Sequence, residues 1–67
     1  MYYVETLIGG DPIGADAFDT LEHAEVFAVM MVNSYKASPR FSARPELWEI
    51  ELRHDNEIIK RIKGTQV

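Results

Sequence analysis

The eight residues GGDPIGAD, numbered 9–16, decide how many strands this chain is given. Three glycines and a proline in eight positions are turn chemistry. Glycine reaches backbone angles closed to other residues, and proline removes a hydrogen-bond donor. On that composition residues 9–18 read as a connecting loop, and the regular elements must come from either side of it.

Upstream, residues 2–8 (YYVETLI) are rich in tyrosine and β-branched side chains and read as a strand. Tyr2, Val4, Thr6 and Ile8 share one face, taken as the inner one, and Tyr3, Glu5 and Leu7 share the other. Downstream, a helix is expected to begin near Asp19 or Thr20. Asp19 and Glu22 fit a reciprocal cap, and Asp19, Glu22 and Glu25 suit the positive end of the helix dipole. The helix should end around residues 35–37, because Pro39 holds Ser38 out of the helical region. Lys36 then lies near the negative end.

Residues 37–45 form a second connector bounded by Pro39 and Pro45. Trp48, Ile50 and Leu52 then alternate with Glu49, Glu51 and Arg53, the period of a strand with one buried face. Asp55 and Asn56 mark a hairpin turn, the last strand is EIIKRIK, residues 57–63, and residues 65–67 read as a frayed tail. A three-residue turn sets Ile50 against Ile62, Glu51 against Arg61 and Glu49 against Lys63, which sorts core from surface better than a two-residue turn. It leaves Lys60 opposite Leu52, tolerable near an edge, and calls for a bulge near Asn56.

The expected fold class is therefore α+β. A β-α-β-β chain forms one domain, residues 1–67, with a three-stranded, mostly antiparallel sheet and the helix packed on one face. Strand order 1-3-2 is favoured, with the last strand in the middle.

At about 100° per residue, Leu21, Ala24, Phe27, Ala28, Met31, Val32 and Tyr35 fall in one arc of roughly 140°, enough to cover the sheet. Val26, Val29 and Met30 project from the opposite side, beside Glu22 and Asn33. Glu22, Val26, Val29, Met30 and Asn33 are thus a candidate interface, and three adjacent exposed apolar residues are unusual on so small a surface. Cover by Phe41 from the connector, or by a second chain in a two-fold dimer, would answer the exposure. Edge-to-edge pairing of sheets is also open, since the expected outer strands hold no proline.

Charge is divided along the chain. Residues 1–35 hold six acidic and no basic residues, whereas residues 36–67 hold seven basic and five acidic ones. Asp11, Asp16, Asp19, Glu22 and Glu25 form a candidate acidic surface for a basic partner. Arg40, Arg44, Arg53, Lys60, Arg61 and Lys63 form a candidate basic surface for nucleic acid. Interleaved Glu46, Glu49, Glu51, Asp55 and Glu57 weaken the basic reading, because phosphate binding needs a net surplus of cations on one face. Nucleic acid is therefore disfavoured as a partner.

No catalytic, cofactor or metal residues are assigned. A phosphate loop needs Lys-Ser/Thr at the helix start, where this chain has Phe18-Asp19-Thr20-Leu21. Asp11, Asp16 and Asp19 do not follow calcium-loop spacing, and there is no cysteine to bind zinc. His54 beside Asp55 is a histidine–carboxylate pair without an organised nucleophile. His23 stands at the start of the helix, where a positive dipole end disfavours an imidazolium. No apolar run approaches the roughly 20 residues that span a bilayer, and with no leader pattern a cytoplasmic location is expected. The expectation is a small non-enzymatic interaction module that forms a homo-oligomer, a dimer favoured, with no cofactor and no membrane contact.

Overall fold

A computed structural model describes all 67 residues. Strand β1 (Tyr2–Ile8) and strand β2 (Asp11–Phe18) form an antiparallel hairpin. Helix α1 (Leu21–Ala37), a short helix α2 (Pro39–Ala43) and a 3-10 turn (Pro45–Leu47) follow. Strands β3 (Trp48–His54) and β4 (Glu57–Lys63) make a second hairpin, and a last 3-10 turn covers Gly64–Gln66. The sheet has four strands in the order β2-β1-β3-β4, with every pair antiparallel.

The loop expected at residues 9–18 is mostly a strand. Gly9 and Gly10 have φ of 62° and 86°, and supply the turn themselves. A two-residue turn with both φ values positive matches the right-handed twist of the strands it joins, and glycine enters it without strain. Pro12 is tolerated because β2 lies at the sheet edge with one neighbour. A register shift opposite the Thr6/Leu7 step leaves Ile13 as the extra residue of a bulge.

The expected order 1-3-2 is also corrected: the Trp48–His54 strand, not the last one, lies beside β1. Trp48, Ile50 and Leu52 are buried, whereas Ile58, Ile59 and Lys60 are exposed. The more deeply apolar strand takes the centre, and the lysine-bearing strand takes the edge, where its ammonium groups stay wet. The charge argument for the hairpin holds, since Glu49 faces Lys63, Ile50 faces Ile62, Glu51 faces Arg61 and Leu52 faces Lys60. The turn is nevertheless the two-residue Asp55-Asn56, with His54 opposite Glu57 and Asp55 at φ 55°. The compensating bulge sits at Ile59, opposite the Leu52/Arg53 step, rather than near Asn56.

Helix α1 crosses one face of the sheet. Thr20 caps it, its hydroxyl accepting from the His23 N–H at 3.2 Å. The helix stops before Pro39, as the sequence dictates. Ala24, Ala28 and Val32 bury against Val4, Trp48, Ile50 and Leu52 to form the core. Residues 37–45 are more ordered than a plain connector. Phe41 on α2 meets Tyr35 edge-on at 4.8 Å, and Tyr35 stacks on Trp48 at 5.4 Å. The expected tail is a turn as well, with Gly64 buried against the Trp48 indole and the Pro45 carbonyl.

Candidate interaction surface

Turning Ala24 and Ala28 to the sheet leaves Val26 and Met30 on the far side of α1 and Val29 on its flank, where it also lines a small cleft with Ile50, Leu52, Lys60 and Ile62. Val26, Val29 and Met30 are 60%, 55% and 61% exposed. Phe41 does fold back, but onto Tyr35 at the end of the helix. More than half of each of the three residues stays open to solvent. Glu22, Glu25, Val26, Val29 and Met30 line a shallow depression of about 490 Å³. A second one, of about 330 Å³, is lined by Phe18, His23, Val26, Phe27 and Met30. The two share Val26 and Met30, so the apolar surface runs from the helix ridge to the end of the edge strand. Phe18 and Phe27 meet there at 5.1 Å. Their part was hidden in the sequence, where Phe18 fell in a supposed loop and Phe27 in the buried arc.

Asp11, Asp16, Asp19, Glu22 and Glu25 are all exposed and take part in no ion pair. Glu22 and Glu25 rim the apolar depression directly. No three carboxylate or imidazole side chains converge into a metal-binding group.

The open face of the sheet holds the opposite arrangement, in which most of the charges pair within the chain and Lys63 makes no ion pair. Arg61 places Nε and Nη2 each 3.2 Å from Glu51 Oε2, with Nε also 3.1 Å from Glu49 Oε2. Arg53 Nη1 lies 3.7 Å from Glu51 Oε1 and 3.9 Å from Glu5 Oε1. Glu51 is thereby only 5% exposed on a face that no helix covers. This ladder of two arginines and three glutamates spans β1, β3 and β4. Arg44 pairs with Glu46 at 3.2 Å, and Arg40 lies over the Phe41 ring at 5.3 Å. The six candidate basic residues therefore do not converge on a free cationic track: Arg53, Arg61 and Arg44 are engaged, and Lys60 and Lys63 stand opposite Leu52 and Glu49.

The largest depression, about 560 Å³, lies beside Leu7, Trp48, Glu49, Arg61 and Lys63. Its charges are of both signs, and Arg61 is already bound to Glu49. His54 stacks on Tyr2 at 4.3 Å, with its Nε2 3.7 Å from Asp55 Oδ2. The pair lies at an exposed strand end, and the hydroxyl of Ser42 donates to the Pro39 carbonyl instead. The Glu46 carboxyl, at an exposed turn on the rim of that largest depression, is held below its ordinary pKa by a backbone N–H and then by Arg44. No helix is long and apolar enough to cross a membrane. No protein-family model, curated protein or solved structure matches the chain.

Proposed function

We propose that this chain is a non-enzymatic interaction module that self-associates, as a dimer, through the outer face of α1. The observation that carries the reading is the exposure of Val26, Val29 and Met30 on a helix whose other large apolar residues are at least half-buried. Sheet-edge pairing is the weaker route, because one edge carries Pro12 and a bulge at Ile13 and the other a bulge at Ile59. A cytoplasmic location belongs to the same proposal.

The magnitudes set the concentration range. Fully burying a Val or Met side chain contributes roughly 1.5–3 kcal/mol, and about half of that remains to be gained at each position. Three residues from each of two copies supply about 4–9 kcal/mol, against an association cost of at least ~4 kcal/mol. The patch alone thus supports a Kd no tighter than ~0.1–1 mM, and contacts at its rim set the rest.

Sedimentation equilibrium from about 10 µM to 1 mM tests the proposal, with Val29→Glu/Met30→Lys as the control. The native chain is expected to gain mass with concentration and the double variant to remain monomeric. Identical monomeric behaviour of both sinks the reading. A second reading, an acidic adaptor for a basic partner, is favoured by the unpaired Glu22 and Glu25 at the rim. It predicts salt-sensitive binding of a basic amphipathic peptide, lost on Glu22→Gln/Glu25→Gln.

A further inference from the structure

We infer that the occupant of this face is a second copy whose α1 runs antiparallel, about a two-fold axis passing beside Val29. Glu22 of each copy then meets Lys36 of the partner subunit. The inference rests on the self-association proposed above and adds its orientation and its charge contacts.

Along the outer face of α1, Glu22, Val26, Val29, Asn33 and Lys36 recur at intervals of four, three, four and three residues, and all five are exposed. That is the spacing of a helix–helix seam, which keeps one stripe turned to a partner along the whole contact. Glu22 and Lys36 each stand seven residues from Val29, or about 10.5 Å along the axis. A two-fold axis at Val29 with the helices antiparallel therefore superposes acid on base at both ends.

A parallel pair does the reverse. It sets Glu22 on Glu22 and crowds Asp19 and Glu25 of both copies at one end, with Lys36 against Lys36 at the other. Neither Glu22 nor Lys36 has an ion-pair partner within its own chain, so both are free to pair across the axis. Antiparallel alignment also sets each helix's negative end beside the partner's positive end. Asn33 then lies beside Val26 of the partner subunit. A polar residue in such a seam penalises sliding and fixes register. The crossing must be shallow, near 20°, since at about 50° the helix ends diverge beyond ion-pair reach.

The chain has no cysteine, so introduced thiols report orientation without background. Three samples are oxidised at equal concentration: Glu22→Cys alone, Lys36→Cys alone, and the two mixed. Crosslinking in the mixture, well above either variant alone, is expected. Crosslinking of Glu22→Cys with itself at the rate of the mixture overturns the antiparallel assignment. Charge reversal gives a second reading: Glu22→Lys and Lys36→Glu each raise the dimer Kd by about 5-fold at low salt, and the combined reversal restores it. Failure of the combined variant to restore the native Kd also overturns the inference. If the native chain stays monomeric to 1 mM, the self-association proposal falls with it. If it dimerises, is broken by Val29→Glu/Met30→Lys, and shows the parallel crosslinks, only the orientation is wrong.

Discussion

Gly64→Ala should destabilise this protein by more than a surface substitution usually does. A Cβ on Gly64 falls 2.7 Å from both Cε2 and Nε1 of Trp48, and closer still to the Pro45 carbonyl oxygen. Carbon contacts are ordinarily about 3.5–4.0 Å, so the turn and the ring must part by roughly 1 Å. Neither obstacle can yield easily. The Pro45 oxygen is backbone, and Trp48 is 3% exposed and stacked on Tyr35, which Phe41 holds from another side. The overlap is relieved only if the Gly64–Gln66 turn lifts off the indole. Overpacking of this kind costs about 1–3 kcal/mol, out of the roughly 3–10 kcal/mol expected for a chain of this length. Urea unfolding followed by the fluorescence of the single tryptophan is the assay. With a slope of about 1 kcal/mol per M, the midpoint falls by about 1–3 M. The folded emission shifts to the red as water reaches the indole edge. An unchanged midpoint, slope and emission spectrum would falsify the packing of the C-terminal turn on Trp48.

Three further outcomes are expected. Gly10→Ala, at φ 86°, forces a side chain into the left-handed region and destabilises by about 1–2 kcal/mol; amide exchange should quicken first across β2, and uniform protection would contradict the hairpin. Glu51→Ala removes the shared partner of Arg53 and Arg61 and lowers stability by about 1 kcal/mol, because both arginines can rehydrate; a loss above about 3 kcal/mol would mean the two arginines are far better sequestered than their own exposure indicates. Raising protein concentration from about 10 µM to 1 mM should raise Tm by about 2–8 °C through mass action, and Val29→Glu/Met30→Lys should abolish that dependence without lowering Tm at the dilute end.

What could be read from the sequence follows burial. Strand β3 was legible because one face is buried and the other charged, and alternation survives in the residues themselves. The register of the second hairpin was legible through charge, since Glu49–Lys63 and Glu51–Arg61 place like faces together. Strand β2 was not legible. Seven of its eight residues are exposed, and an edge strand without a buried face leaves no period to detect. Only Gly9-Gly10 announced it, as a two-residue hairpin turn. The strand order failed because crossover handedness constrains parallel neighbours, and every neighbour here is antiparallel. On the helix, angular position alone separated Val26, Val29 and Met30 from the core. The extension to Phe18 depended on β2 and was lost with it.

The composition of α1 itself argues that its outer face is more than spare surface. Ala24 and Ala28 bring the helix close to the sheet but contribute little apolar area of their own, and the core they close is small. An exposed helical position that serves only solubility is best filled by Ala, Glu, Lys or Gln. Valine at such a position restricts χ1 and costs about 0.5 kcal/mol of helix propensity relative to alanine. Val26 and Val29 accept that cost twice, and remain 60% and 55% exposed. Local preference and global packing thus conflict at the same two residues, and such conflicts mark functional sites more often than flaws. The proposed antiparallel pair would resolve the conflict: the stiff, branched side chains would become the centre of a seam, and the acidic and basic ends of the same stripe would meet across it.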